Sequence, residues 1–393
     1  MKKTGLFVLS ILLSFIMFGN QAHACTTFCL KNKGEVLFGK NYDWMIGDGL
    51  IFVNKRGVSK VALSETPKNP ARWTSRYGSV TFNQYGRENP SGGMNEAGLV
   101  IELMWLDDTQ YPGTDERPTV GTLEWIQYQL DTSATVSEVA KNAETVRIAS
   151  EIKLHYLVND RAGSTATIEF LNGKLVVHTG ETLGAAALAN DTYERSAKYA
   201  KAVATPTGEM SLDRFSRAAE RTRAFYAKPR TGQEAIDYAF ETLENVAQSG
   251  STQWSIVYDQ ARRVIRFRSR QQRSIKTIDT SKLDYRCESP VRYFDINAAG
   301  TGDVTPRFLD YTNHANRDLI ERSFNGTPFL RSVPADLKDQ AAGYPETFGC
   351  GTVKPTADPP KPPTTSAGYL ARAFYFLIRT LSVTSAGAAS ISI

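Results

Sequence analysis

Hydrophobic residues recur along the chain with two spacings, and each spacing predicts one kind of secondary structure. Short runs rich in β-branched and aromatic residues, bounded by turn residues, are typical of strands. They occupy 25–30, 35–39, 50–54, 78–82, 98–105, 155–158, 166–170, 174–178, 254–258 and 264–268. Apolar residues three and four positions apart predict amphipathic helices. These cover 122–130, 136–146, 193–204, 212–225 and 233–247. Blocks of strands and blocks of helices, rather than strict alternation, indicate an α+β fold.

The start of the chain follows neither pattern. Two lysines precede an apolar run over 5–18, and the triplet Ala22–Ala24 has the small residues that a signal peptidase accepts. The run is too short to span a bilayer comfortably. We therefore expect residues 1–24 to be a signal peptide and the mature protein to begin at Cys25. The mature protein would then be periplasmic or secreted, with no stable membrane span after processing.

The end of the chain is different again. Five prolines between 354 and 366 favour extended, polyproline-like chain, and Arg372 and Arg379 interrupt the apolar stretch that follows. We expect one domain over residues 25–350 and a Pro-rich tail, 351–393, outside the core fold.

A cysteine at the mature N-terminus has two chemical uses. It can carry the lipid of a bacterial lipoprotein, which would make the chain a lipid-anchored binding protein, although that signal prefers a bulky aliphatic residue where this chain has Ala22. It can also be a catalyst. A free α-amino group has a pKa near 8 and can serve as a base for the thiol of the same residue.

The segment after Cys25 predicts a β-hairpin with a turn at Asn32–Gly34. Opposed residues of such a hairpin have an index sum of about 66 to 68, which puts Cys25 opposite a residue between Asn41 and Asp43. Asp43 could then hold the α-amino group, and the charge of Lys40 could lower the pKa of the thiol.

Six short motifs, in order along the chain, resemble the choloylglycine hydrolase family. This family includes bile salt hydrolases, penicillin V acylases and related linear-amide hydrolases. The motifs are Cys25–Phe28, Phe38–Asp43, Gly93–Leu99, Ala189–Asp191, Asp213–Phe215 and Thr252–Asp259. The resemblance implies the four-layer αββα sandwich of N-terminal nucleophile hydrolases.

The resemblance also implies a role for each matching residue. Cys25 would be the nucleophile with its own amine as the base, and Asp43 would bind that amine. Lys40 stands where the family usually has an arginine beside the thiol. Asn190 would donate its side-chain amide to the oxyanion, and Arg214 would orient charges near Cys25.

Two tryptophans bear on the substrate. The backbone N–H of Trp105, or of a neighbour, would be the second oxyanion donor, at a position where the family commonly has Asn or Tyr. If the indoles of Trp44 and Trp105 face the pocket, they make an aromatic wall that suits a phenoxyacetyl or fatty acyl group; core packing is the alternative. Penicillin V and N-acyl homoserine lactones are the expected substrates, and conjugated bile salts are the next candidates. An acid-ceramidase-like or acyltransferase relative is a further alternative.

Composition and charge limit the ligands and partners that the protein is expected to bind. The net charge of +5 is small and spread along the chain, so no nucleic-acid partner is expected. No nucleotide or metal motif is found, so we expect no cofactor and no metal, and a small-molecule amide as the partner. The resemblance leaves a homo-oligomer open, as in family relatives. Cys287 and Cys350 could pair after export, but sequence does not decide this.

Overall fold

The structure is a computed structural model that describes residues 25–63, 69–203 and 206–351. The expected signal peptide and all of the tail after residue 351 lie outside the described residues. The strands are β1 (Thr26–Asn32), β2 (Glu35–Asp43), β3 (Leu50–Asn54), β4 (Val58–Val61), β5 (Arg72–Thr74), β6 (Ser79–Asn83), β7 (Pro90–Asn95), β8 (Val100–Trp105), β9 (Thr119–Val120), β10 (Arg147–Ile148), β11 (Leu154–Asn159), β12 (Thr165–Leu171), β13 (Lys174–Thr179), β14 (Ala187–Leu188), β15 (Thr252–Asp259), β16 (Val264–Ser269), β17 (Lys276–Asp279), β18 (Arg292–Asp295), β19 (Gly302–Asp303), β20 (Leu309–Asp310) and β21 (Gly349–Cys350). The α-helices are α1 (Thr122–Thr132), α2 (Val136–Thr145), α3 (Tyr193–Ala202), α4 (Ser211–Ala227), α5 (Gly232–Asn245), α6 (Asn313–Gly326) and α7 (Ala335–Gly343).

Two large, mainly antiparallel sheets form the centre of the molecule. The first has the strand order β14-β1-β2-β15-β16-β17-β19 and the second β13-β12-β11-β8-β7-β6-β3-β18-β20. Helices α4 and α5 contact β1 and β2 of the first sheet, and α1 contacts β7 and β8 of the second. Helices therefore cover the outer face of each sheet, which is the αββα arrangement that the sequence predicted.

The apolar core follows these layers. One cluster joins Phe28 of the first sheet, Met104 of the second and Phe215 of α4. Another lies between the second sheet and its helices, where Ile101 packs with Trp125 and Val139.

Strand β2 occupies the middle of the first sheet and is buried at all nine positions. Its sequence is mostly apolar up to Phe38 and then changes to Lys40-Asn41-Tyr42-Asp43. Polar groups at such depth are costly unless they find partners, because burial removes their hydration. This end of β2 is therefore where the fold concentrates polar chemistry.

The region after β17 packs on the end of the second sheet that contains β3. Helix α6 places Leu319 against Leu50 and Phe52 of β3, and α7 packs on α6. The structure forms the Cys287–Cys350 disulfide, with a Cα–Cα distance of 5.6 Å, and β21 pairs with β4 beside it. Within the described residues, no helix is both long and apolar enough to cross a bilayer.

Several elements were not predicted from the sequence. Strand β7 reads Pro-Ser-Gly-Gly-Met-Asn, and proline and glycine are rare inside strands. Here glycine is needed for space, since a Cβ on Gly92 would lie 2.1 Å from a carboxyl carbon of Glu102 on the neighbouring strand. Helices α6 and α7 were also missed.

Candidate active site

Cys25 lies directly before β1, in the core that joins the two sheets. The hairpin register pairs Thr26 with Asn41, an index sum of 67, as the sequence predicted. Cys25 therefore lies beside the end of β2. Its thiol donates a hydrogen bond to the backbone carbonyl of Asp43, with an S···O distance of 4.0 Å.

The Asp43 carboxylate is buried beside the thiol, and its two oxygens differ. Oδ1 accepts a hydrogen bond from the Thr252 hydroxyl. Oδ2 has no hydrogen-bond partner among the described residues and lies 4.0 Å from Nη1 of Arg214. Burial raises the pKa of Asp43 to about 6, against the lowering effects of Arg214 and Thr252. One carboxylate oxygen thus accepts no hydrogen bond from the described residues, where a positively charged amine would stabilise it.

Lys40 comes from the same strand as Asp43 and is completely buried. Its ammonium donates hydrogen bonds to the Leu103 carbonyl and, at 3.8 Å, to the Met104 sulfur, both on β8 of the second sheet. Nζ also lies 3.8 Å from Oε2 of Glu102. The lysine therefore bridges the two sheets next to Cys25.

The thiol is not activated by its surroundings alone. Burial raises the pKa of Cys25, and the Asp43 carboxylate adds to this, whereas the Lys40 ammonium lowers it as a charge and a hydrogen-bond partner. The expectation that the charge of Lys40 lowers the thiol pKa is confirmed for that contact, but desolvation is the larger effect and the net direction is upward. A thiol in this position needs a base to become a nucleophile.

Asn190 follows the short strand β14, which pairs with β1 next to Cys25. Its backbone N–H donates to Oγ of Ser211 at 2.9 Å, and its side-chain Nδ2 donates to the Trp105 carbonyl at 2.8 Å. The hydroxyl of Ser211, at the start of α4, thereby fixes the backbone of Asn190.

The backbone of Trp105 faces the same place. Strands β8 and β11 pair Trp105 with Leu154, and the N–H of Leu106 donates to the opposite Lys153 carbonyl. Hydrogen-bonded and non-hydrogen-bonded pairs alternate in an antiparallel ladder, so the pair of Trp105 and Leu154 is non-hydrogen-bonded. The N–H and C=O of Trp105 therefore point away from β11, toward the side on which Asn190 lies. Pairing of β7 with β8 ends at Glu102, so no described strand occupies that side.

Arg214, on α4, ties these parts together. Its Nη1 donates to the Cys25 carbonyl at 2.8 Å and to the Thr26 hydroxyl, and its Nη2 donates to Oδ1 of Asn190 at 3.0 Å. It is completely buried. The guanidinium thus fixes the position of Cys25 relative to Asn190 by a rigid fork of donors.

The two tryptophans have different surroundings. Trp44 packs on the core that contains Cys25, donates from its indole to the Tyr85 hydroxyl at 2.6 Å and meets Phe329 edge to face. The Trp105 indole instead packs on the core beneath α1 and α2 and donates to Asp107 at 2.7 Å. Of the two alternatives left open for the Trp105 side chain, the structure has core packing, because alternation along β8 turns Met104 inward and Trp105 outward.

Sequence reasoning missed two polar residues of this site, Thr252 and Glu102. Thr252 lay inside a quoted motif but received no role. Glu102 is the one charged residue in the run Val-Ile-Glu-Leu-Met-Trp of β8, and a lone acid in a buried apolar strand was the available signal. In the described ranges, no cluster of three or more His, Cys, Asp or Glu side chains is arranged to hold a metal ion.

Known proteins resemble this chain in sequence and in fold. Residues 25–200 match the family described as linear amide C–N hydrolases, choloylglycine hydrolase family. Penicillin V acylase of Pectobacterium atrosepticum is 32% identical over 123 residues, which cover 27% of this chain. The match spans about a third (33%) of that curated relative's length.

Solved structures extend the match to more of the chain. The structure of penicillin V acylase from Agrobacterium tumefaciens has a TM-score of 0.66 and 28% identity, covering 73% of this chain and 98% of its own. A variant of conjugated bile acid hydrolase from Clostridium perfringens has a TM-score of 0.60 at 18% identity, covering 70% and 98%. The second likeness bears on the fold alone. Together these matches confirm the predicted fold class.

Proposed function

Because residues 25–200 match the model of the linear amide C–N hydrolases of the choloylglycine hydrolase family, we propose that the chain hydrolyses such bonds with the Cys25 thiol as nucleophile. One observation carries the proposal: the buried Arg214 guanidinium contacts both the Cys25 carbonyl and the Asn190 amide, so a nucleophile and an amide donor are held together.

The base in this proposal is the α-amino group of Cys25 itself. Its formation requires cleavage after Ala24, so the proposal includes removal of residues 1–24 as an export signal and a periplasmic or secreted enzyme. Oδ2 of Asp43, which accepts no hydrogen bond from the described residues, supports the assignment, because it offers the new ammonium a buried acceptor. The raised pKa of the thiol also supports it, since such a thiol depends on a neighbouring base.

The oxyanion would form between two donors. Arg214 holds the Asn190 side-chain amide beside Cys25, and this amide also donates to the Trp105 carbonyl. The Trp105 N–H points to the same side of β8 as that carbonyl, so we assign it as the second donor. Donors fixed in this way stabilise the negative charge that develops on the substrate oxygen.

The reaction then has two steps. The Cys25 amine takes the thiol proton, sulfur bonds to the acyl carbon, and the C–N bond breaks as the leaving amine receives that proton. Water, deprotonated by the same amine, then attacks the thioester and releases the acid and the thiol.

For the substrate we propose an aromatic or fatty acyl amide of the penicillin V type, with N-acyl homoserine lactones as a second candidate. Two of the matched relatives are penicillin V acylases. The Trp44, Tyr85 and Phe329 side chains form a connected aromatic group after the end of β2, which suits an apolar acyl chain.

The experiment is a substrate panel assayed with the purified parent protein, Cys25→Ala and Cys25→Ser. The panel contains penicillin V, N-acyl homoserine lactones and glycine-conjugated bile salts, with and without added amine to detect acyl transfer. We expect hydrolysis by the parent and loss of roughly 10⁴-fold or more in both variants. Retained turnover by a folded Cys25→Ala protein contradicts the proposal. A lipid on Cys25, seen by intact mass, would favour the anchored binding protein instead.

A further inference from the structure

Glu102 is a buried acid for which the proposed reaction has no use. It lies on β8 between apolar neighbours, and its side chain is 2% exposed. Carboxylates are almost never so deeply buried unless they are paired. Its presence therefore needs a reason.

The surroundings of Glu102 form a built position for a carboxylate. Oε1 accepts a hydrogen bond from the Tyr258 hydroxyl at 2.5 Å, and Oε2 lies 3.8 Å from the Lys40 ammonium. Gly92 leaves the space, since a Cβ there would come within 2.1 to 2.3 Å of the carboxyl atoms. Residues of β2, β7 and β15 thus all accommodate this one side chain.

The Lys40 ammonium has no other carboxylate within ion-pair distance among the described residues. Its remaining acceptors, the Leu103 carbonyl and the Met104 sulfur, are neutral. A buried lysine without a negative partner readily loses its proton, whereas a buried arginine does not. A lysine at this position therefore has a requirement for a negative partner that an arginine would not have.

We propose that Glu102 is a positioning residue that keeps Lys40 protonated and directed at the Cys25 thiol. It acts through Lys40 and does not touch the substrate. The inference rests on the proposed function, because it assigns the Lys40 charge to the thiolate of Cys25.

The charged and titratable groups around this pair come from several elements. The carboxyl group of Glu102 faces Lys40, Tyr42 and Tyr258, and the thiol of Cys25 faces Lys40, Asp43, Tyr42 and Arg214. Burial raises the pKa of Glu102 to about 7, although Lys40 and Tyr258 lower it. The carboxylate therefore forms near neutral pH, where the thiol has to react.

The test measures the rate at which iodoacetamide alkylates Cys25 as a function of pH, in the purified parent protein and in Glu102→Gln. Peptide mass spectrometry quantifies the alkylated Cys25. Glutamine retains the volume and an acceptor for Tyr258 but removes the charge. Loss of the negative charge by itself would lower the thiol pKa. If instead Lys40 loses its proton, the thiol pKa rises, and we expect alkylation at pH 7 to slow by about tenfold, the effect of one pKa unit. A thiol pKa that is unchanged or lower overturns the inference.

Three comparisons separate this effect from a structural one. Glu124→Gln removes another buried carboxylate that accepts from a tyrosine, Tyr344 at 2.6 Å, and should leave Cys25 alkylation unchanged. Alkylation of Cys29, the other free cysteine among the described residues, is recorded in the same samples as an internal reference. Adding Lys40→Arg to Glu102→Gln should restore the alkylation rate, because guanidinium keeps its proton. Failure of that restoration in a folded protein overturns the claim that Glu102 acts by protecting the proton of Lys40.

If Glu102→Gln does not fold, Tyr258→Phe tests the same inference. It removes the hydrogen bond that favours the charged form of Glu102, but it leaves Glu102 and Lys40 in place. A smaller rise of the thiol pKa supports the inference and no rise contradicts it. Alkylation requires no turnover, so a parent protein that hydrolyses no amide would refute the proposed function while leaving this result readable.

Discussion

Two fully buried lysines show how differently this protein uses the same ion. Lys60 is on β4 of the small sheet formed by β4, β5 and β21, and its ammonium lies 2.5 Å from Glu88 and 2.9 Å from Asp131. Burial by itself would lower the pKa of Lys60, but the two carboxylates outweigh it and raise the pKa. Lys40 has one carboxylate, Glu102, at 3.8 Å.

The difference teaches what a functional charge looks like in a core. Lys60 is enclosed by opposite charge, and its partner Asp131 is itself held by Trp73 and Gln127 at 2.8 Å each. Lys40 otherwise bonds to neutral acceptors, has its one carboxylate at 3.8 Å, and lies beside a thiol. A tightly compensated ion stabilises packing, whereas an incompletely compensated one can act on a neighbouring group.

The largest expected effect comes from removing the two lysines separately. Lys60→Met leaves Glu88 and Asp131 without their lysine, which should cost about 3–5 kcal/mol of unfolding free energy. Lys40→Met leaves only Glu102, whose raised pKa lets it take up a proton, so the loss of stability should be smaller. Urea unfolding measures both variants.

Cys25 alkylation should show the opposite order. Alkylation of Cys25 should be slower in Lys40→Met than in the parent protein. In Lys60→Met it should be unchanged, provided that it is measured under conditions in which this variant is folded. Equal effects of the two substitutions on both measurements would break the comparison.

Two asparagines, the buried Asn95 and the half-buried Asn190, allow a second comparison of a structural with a functional side chain. The amide of Asn95 bonds entirely within the fold, to the Leu130 carbonyl at 2.9 Å and the Ser133 carbonyl at 2.7 Å. Asn190→Ala should reduce kcat about 10²–10³-fold by removing an oxyanion donor. Asn95→Ala should lower stability and leave kcat of the folded protein unchanged. A normal kcat for Asn190→Ala would remove Asn190 from the site.

The smallest expected effect is on the pH dependence of stability. The pKa of Glu102 rises from its ordinary 4.5 to about 7 in the folded protein, because of burial. The folded state therefore holds the proton more tightly than the unfolded state. The stabilisation is complete below about pH 4.5 and is lost as the pH rises through 7, for a total of about 3 kcal/mol.

Glu102→Gln should flatten this part of the stability curve. Urea unfolding at several pH values, with Glu124→Gln as the control for another buried acid, measures the change. An identical pH dependence in the parent and Glu102→Gln would show that Glu102 does not titrate in this range.

The sequence allowed prediction of those parts of the site that depend on local pairing. The turn at Asn32–Gly34 fixes the hairpin register, so the placement of Asp43 near Cys25 followed from counting residues. The contacts between Lys40 and Glu102 join strands of different sheets, and no local pattern encodes such a pairing. The outward turn of the Trp105 indole likewise depends on which face of β8 meets the first sheet.

The same reasoning explains the other differences. Strand β7 was missed because Gly92 serves the side chain of another strand rather than its own local conformation. The strands and helices around it were predicted where their apolar spacing was strong, as in α4 and β8.

The central claim is that Cys25, as the first residue of the mature protein, is the nucleophile. The most direct measurement alkylates the parent protein in steps, quantifies modified Cys25 on the N-terminal peptide, and records amide hydrolysis on the same samples. We predict that the peptide begins at Cys25 and that hydrolysis falls in proportion to its modification. Full turnover by protein whose Cys25 is completely alkylated would contradict the account.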